Sequence, residues 1–177
     1  YSASTGTMVL TGNIYASNTT TAIGGLSHSG NGNLILTGNQ YGGSGNSCNG
    51  LQITGAGTGT VYGHQYGGTS SSCFGLRQAG SGLYTIHGNQ YGGPASLSYG
   101  LAGVTGSLLI YGNSFGGDTS AGISLTSVTA ATIYGDATGG TDYTTAGMLL
   151  SGASNANVYL YGTARSSTTG LGPGVRN

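Results

Sequence analysis

The sequence predicts an all-β protein wound as a parallel β-solenoid, and three observations carry that prediction. An eight-residue phrase recurs seven times at a nearly constant interval along the chain. Within each copy, aliphatic residues alternate with polar or aromatic ones at period two, as on a strand with one buried face. Glycine supplies 39 of 177 residues, with 24 Thr and 22 Ser beside it, while Asp, Glu, Lys and Arg together supply only six. A globular enzyme carries about a quarter of its residues as charges. Disorder fits poorly as well, because 36% of the chain is hydrophobic and 13 residues are Tyr, whereas disordered chains combine low hydrophobicity with high charge.

The phrase reads LTGNIYAS at 10–17, LTGNQYGG at 36–43, VYGHQYGG at 61–68, IHGNQYGG at 86–93, IYGNSFGG at 110–117, IYGDATGG at 133–140 and LYGTARSS at 160–167. Its glycines, Gly12, Gly38, Gly63, Gly88, Gly112, Gly135 and Gly162, follow one another at intervals of 26, 25, 25, 24, 23 and 27 along the chain. A period of roughly 25 residues is too short for helical-hairpin repeats or propeller blades and fits one turn of a solenoid. It predicts about seven coils, near 4–29, 30–54, 55–79, 80–104, 105–128, 129–152 and 153–177, in one domain. Neighbouring coils would lie about 4.8 Å apart, and the coil would be right-handed, the default for parallel connections.

The column Leu10, Leu36, Val61, Ile86, Ile110, Ile133 and Leu160 is aliphatic throughout and is assigned to the interior. The next residue along the strand must face the other way. It is Thr11 and Thr37 first, and then an outward stripe of Tyr62, His87, Tyr111, Tyr134 and Tyr161. Residues that follow a glycine give a second interior column, Leu26, Leu51, Leu76, Leu101, Ile123, Met148 and Leu171. Pairs such as GG, SG and NG between these segments are corner signals.

Three further columns are candidates for chemistry. Asn13, Asn39, His64, Asn89, Asn113 and Asp136 form an amide ladder, in which stacked side chains can bond along the axis. A metal or catalytic row made of His64 and Asp136 is the rival reading, but those two are three coils apart. Tyr15, Tyr41, Tyr66, Tyr91 and Phe115 form an aromatic column whose direction, inward or outward, the pattern leaves open. Cys48 and Cys73 are one period apart, at the same place in adjacent coils. A vertical disulfide is feasible there, and two buried thiols filling a core slot are the alternative.

Catalysis is not expected. Asp118, Asp136 and Asp142 are the only side-chain carboxylates, they fall on loops or corners, and no Cys/His metal spacing occurs. No cofactor is implied. A formal net charge of zero lacks the basic footprint that nucleic acid requires. No apolar run approaches the length of a membrane span, roughly 18 residues or more. Neither end carries a charged or helical cap, so either the chain is a slice of a longer solenoid or its two ends pair with each other between subunits.

In LTGNQYGG, GLQITG and their relatives the chain resembles the repeats of secreted bacterial β-solenoid proteins, the filamentous haemagglutinin-type adhesins and autotransporter passengers. That resemblance implies an exported, extracellular or cell-surface, non-enzymatic protein. The expected function is therefore structural: a subunit that stacks head to tail on copies of itself into a filament, or part of an adhesin or biofilm-matrix fibre. A glycan-binding module, or less favourably an ice-binding one, is the alternative, with glycans or neighbouring filaments as partners. A polysaccharide-cleaving β-helix enzyme is a distant third.

Overall fold

The computed structural model describes residues 5–17, 24–142, 145–152, 157–166 and 173–176. Over these residues the chain is an all-β parallel solenoid whose coils each lay one strand into three separate sheets. The long wall contains β1 (Met8–Thr11), β4 (Asn33–Thr37), β7 (Thr58–Tyr62), β10 (Leu83–His87), β13 (Ser107–Tyr111), β16 (Ala130–Tyr134) and β19 (Val158–Tyr161). A short wall of two-residue strands follows immediately: β2 (Ile14–Tyr15), β5 (Gln40–Tyr41), β8 (Gln65–Tyr66), β11 (Gln90–Tyr91), β14 (Ser114–Phe115), β17 (Ala137–Thr138) and β20 (Ala164–Arg165). The third wall is β3 (Leu26–His28), β6 (Leu51–Ile53), β9 (Leu76–Gln78), β12 (Leu101–Gly103), β15 (Ile123–Leu125), β18 (Met148–Leu150) and β21 (Val175–Arg176). Every pairing is parallel and in register, for example Leu36 with Val61, Val61 with Ile86, and Ile86 with Ile110. Seven copies of the phrase mark seven rungs, and about six turns of chain separate the first from the last.

Two interior columns line the long wall. Leu36, Val61, Ile86, Ile110 and Ile133 are fully buried, while Leu10 and Leu160, in the first and last rungs, are partly buried against the same core. The companion column, Met8, Leu34, Gly59, Tyr84, Leu108, Ala131 and Val158, varies in size. Its large member sits beside its smallest. A Cβ at Gly59 would lie 2.9 Å from Tyr84 Cε1, so the tyrosine ring occupies space that only glycine leaves open.

On the third wall Leu26, Leu51, Leu76, Leu101, Ile123 and Met148 face the core and are buried. The expected seventh member, Leu171, lies outside the described residues, and the rung position paired with Met148 belongs to Val175. Two glycine-plus-aliphatic pairs close the sequence, Gly170-Leu171 and Gly174-Val175. The offset from the corner glycine distinguishes them, because the step from Gly38 to Gly50 recurs unchanged from Gly63 to Gly75 and from Gly88 to Gly100. The same step taken from Gly162 reaches Gly174.

His28 begins the other interior column of the third wall and is fully buried. Its ring meets that of Tyr84 edge-on at 6.2 Å. Neither ring nitrogen, nor the Tyr84 hydroxyl, has a hydrogen-bond partner among the described residues. Burial lowers the His28 pKa from its ordinary 6.5. Burial likewise pushes the Tyr84 hydroxyl up to about 12. The unfolded chain therefore binds more protons than the folded one once pH falls below 6.5, so stability is lost as pH descends from there through the lowered folded value. Thermal melts across pH 7 to 5 should show this loss, and His28→Leu should flatten it. An unchanged slope in that variant would mean the acid sensitivity resides elsewhere.

Candidate functional site

The long and short walls meet at the corner glycines, and this corner gathers most of the singled-out side chains. The chain bends there through positive φ at Gly12, Gly38, Gly63, Gly88 and Gly135. The next residue in each coil belongs to the amide ladder. Its side-chain acceptor takes the backbone N–H of the equivalent residue one coil further on: Asn39 N–H donates to Asn13 Oδ1 at 2.9 Å, His64 N–H to Asn39 Oδ1 at 2.8 Å and Asn113 N–H to Asn89 Oδ1 at 2.9 Å. Asp136 N–H donates to Asn113 Oδ1 and Thr163 N–H to Asp136 Oδ1, both at 2.8 Å. His64 is a working rung, because Asn89 N–H donates to its Nδ1 at 2.9 Å. That bond requires a neutral ring with its proton on Nε2. The ladder thus joins side chain to backbone, and one Asp136 oxygen is committed to it.

On either side of the corner an aromatic column faces outward. Tyr15, Tyr41, Tyr66, Tyr91 and Phe115 stack nearly parallel, with centroids 4.6, 4.8, 4.8 and 5.0 Å apart. Burial and the neighbouring Tyr91 and Tyr41 raise the Tyr66 pKa. Tyr62, His87, Tyr111, Tyr134 and Tyr161 stack at 4.8, 4.8, 5.1 and 4.8 Å. The direction that the sequence left open for the first column is outward, and its cause is the residue before it. Gln40, Gln65 and Gln90 are fully buried at the alternating position.

This glutamine column has no counterpart among the residues expected from sequence. Gln65 Nε2 donates to Gln40 Oε1 at 3.1 Å, Gln90 Nε2 to Gln65 Oε1 at 3.2 Å, and Ser114 Oγ to Gln90 Oε1 at 2.8 Å. Gln65 Nε2 also donates to the Gly63 carbonyl at 2.6 Å. Stacking supplies each buried amide with a partner it would otherwise lack, which removes most of the cost of burying it.

Cys48 and Cys73 are unbridged in this structure and stack at equivalent places in adjacent coils. Both are fully buried, and Cys73 Sγ accepts the backbone N–H of Cys48 at 3.2 Å. The same bond continues as Cys73 N–H to Ser98 Oγ at 3.2 Å and Ser98 N–H to Ser120 Oγ at 2.7 Å. Sulfur and hydroxyl oxygen are interchangeable in this column. Burial raises the Cys73 pKa, so its thiolate is scarce.

The other carboxylates sit on the loop after the short wall. Thr141 Oγ1 donates to Asp118 Oδ1 at 3.4 Å, and Asp142 N–H to the Asp118 carbonyl at 2.8 Å. Among the described residues no three His, Cys, Asp or Glu side chains gather as a metal site.

Among the described residues, the first and last strands of each sheet have a neighbour on one side only. β1, β2 and β3 pair only with β4, β5 and β6, and β19, β20 and β21 only with β16, β17 and β18. Among the described residues no further strand continues either edge. In comparisons with known proteins, no family model, curated protein or solved structure matches the chain. Of the resemblance to adhesin repeats, the parallel solenoid architecture is the part that the structure shows.

Proposed function

We propose that the chain is a structural unit of an extracellular fibre and that it stacks head to tail on copies of itself. The observation that carries the reading is that the first and last described rungs are equivalent rungs of the same ladders. Along the corner, Gly38 N–H donates to the Tyr62 carbonyl at 2.7 Å, Gly63 N–H to His87 at 2.9 Å and Gly88 N–H to Tyr111 at 3.0 Å. The next step in that series brings Gly162 N–H of one copy to the Thr11 carbonyl of another.

Side chains match at the same junction. Leu160 would cover Leu10, Tyr161 would meet Thr11, and the Arg165 guanidinium would lie on the face of Tyr15, which is 67% exposed, in a cation–π contact. A contact between two different surfaces of one molecule does not close on itself and generates an open filament. Near-absence of charge supports the reading further, since charged edge residues are the usual defence against strand-to-strand association. Gly, Ser, Thr and Asn at corners with no Lys or Glu suit an exported matrix protein.

Negative-stain microscopy of the purified protein tests this directly. Fibres are expected, with a subunit repeat of about seven rungs, or ~34 Å, and a 4.8 Å meridional spacing in diffraction. Particles that stay monomeric over a wide concentration range would overturn it.

A further inference from the structure

Away from the corner, the outer face of the third wall carries a groove of about 500 Å³, within the size range of small-ligand sites. Its floor is the outward position of successive rungs, Gln52, Arg77, Ala102 and Ser124. The floor drops from long side chains to small ones as it crosses from β9 to β12. One bank is built by Phe74 and Tyr99, each just ahead of a strand of this wall, with rings nearly parallel, 5° apart in plane and 5.6 Å between centroids. They form a flat aromatic shelf above a polar floor.

The polar groups of the groove are partly committed and partly open. Asn49 is buried, accepts the Phe74 N–H at Oδ1 at 3.1 Å and donates from Nδ2 to Gln52 Oε1 at 3.2 Å. That second bond fixes the Gln52 amide by its oxygen and leaves its NH2 as donor. Arg77 stands on the next rung and is partly buried. Among the described residues its guanidinium has no ion pair, hydrogen bond or ring contact. A guanidinium offers five donors in a planar fork that matches a carboxylate. Such a group, unmatched within a concave site, is available to a ligand.

We propose that this groove binds a carboxylate-bearing sugar of a linear acidic polysaccharide, with Arg77 on the carboxylate, the Gln52 amide on a ring hydroxyl and the Phe74/Tyr99 shelf against the apolar face of the pyranose. A neutral sugar would satisfy the shelf and leave Arg77 unmatched. A small carboxylate would do the reverse. The strip also continues. Tyr99 borders a second, smaller hollow that contains Leu149 and Arg176, and Arg176 follows Leu149 at the same outward position. Arg77 and Arg176 are four rungs apart, about 19 Å, so a chain lying along the solenoid axis would meet a cation at both ends of the strip. This site is independent of the fibre reading, since a monomer presents it whole.

Calorimetric titration with a galacturonic acid trimer, an uncharged galactose trimer and acetate tests the assignment. The acidic trimer is expected to bind at least ~10-fold more tightly than either other probe. Arg77→Gln should remove that preference while leaving the neutral trimer unchanged, and Gln is already accommodated one rung away at Gln52. Tyr99→Ala should weaken both trimers. Equal affinity for the two trimers, acetate binding as tightly as the acidic trimer, an Arg77→Gln variant with wild-type preference, or no acidic-trimer binding up to about 10 mM would each overturn the proposal.

Discussion

Gly88→Ala should leave the protein largely unfolded at temperatures the parent chain survives. The corner glycine adopts φ +149, and a Cβ placed on it would lie 2.0 Å from the Gly63 carbonyl oxygen and 2.6 Å from its carbon. Both contacts are with backbone, so no rotamer change relieves them. Rungs would have to separate by an ångström or more, at a place where Gly63 N–H to His87 and Gly88 N–H to Tyr111 bonds of 2.9 and 3.0 Å hold them together. The adjoining ladder bond from Asn89 to His64 would stretch with them. Backbone strain alone costs roughly 1–3 kcal/mol, and the steric term places the sum among the exceptional single-site effects, on the order of 4–5 kcal/mol. For a chain of this size the melting temperature should fall by roughly 10 °C or more. A melt within a degree or two of wild type would show that the rungs yield more easily than their hydrogen bonds imply.

That corner was legible in the sequence, because Gly followed by Asn at one place in successive coils has few explanations other than a stacked turn. The aliphatic columns were legible for the same reason: Leu36, Val61, Ile86, Ile110 and Ile133 keep both period and polarity. The short wall was not. Its strands are two residues long, too short for an alternating pattern, and the inward member is Gln in three consecutive coils. Hydropathy assigns glutamine to the surface, and only the repeat supplies the partners that make Gln65 tolerable inside. One signal was present, since Tyr41, Tyr66 and Tyr91 cannot share a face with the residue before them. The cysteines were legible as a column and no further. Spacing places Cys48 over Cys73 but says nothing about the directions of their Cβ bonds, which decide between a bridge and a backbone ladder. Tyr84 over Gly59 and the unpartnered Arg77 depend on contacts between coils that no single repeat contains.

Gly12→Ala should fold and fail to polymerise. Gly12 is the same corner glycine in the first rung, with φ +118, yet a Cβ there meets nothing within 4 Å. At Gly38, Gly63, Gly88, Gly112, Gly135 and Gly162 the same atom would strike the preceding corner glycine's carbonyl oxygen at 2.0 to 2.2 Å. In a head-to-tail fibre the empty place over Gly12 is filled by the Gly162 carbonyl of the next copy. Alanine at 12 therefore adds only backbone strain, about 1–2 kcal/mol, to the isolated protein, but a clash at every junction. Circular dichroism should match wild type with a modest fall in melting temperature, while the critical concentration for fibres rises at least ~100-fold. Polarity adds a sharper consequence. The variant keeps a normal Gly162 end, so it can join a wild-type Gly12 edge and then accept nothing further, and small amounts mixed into wild-type protein should shorten fibres in proportion to dose. Fibres of normal length and yield from Gly12→Ala alone would show that the two ends do not meet at this corner, and the head-to-tail reading would fall with that result.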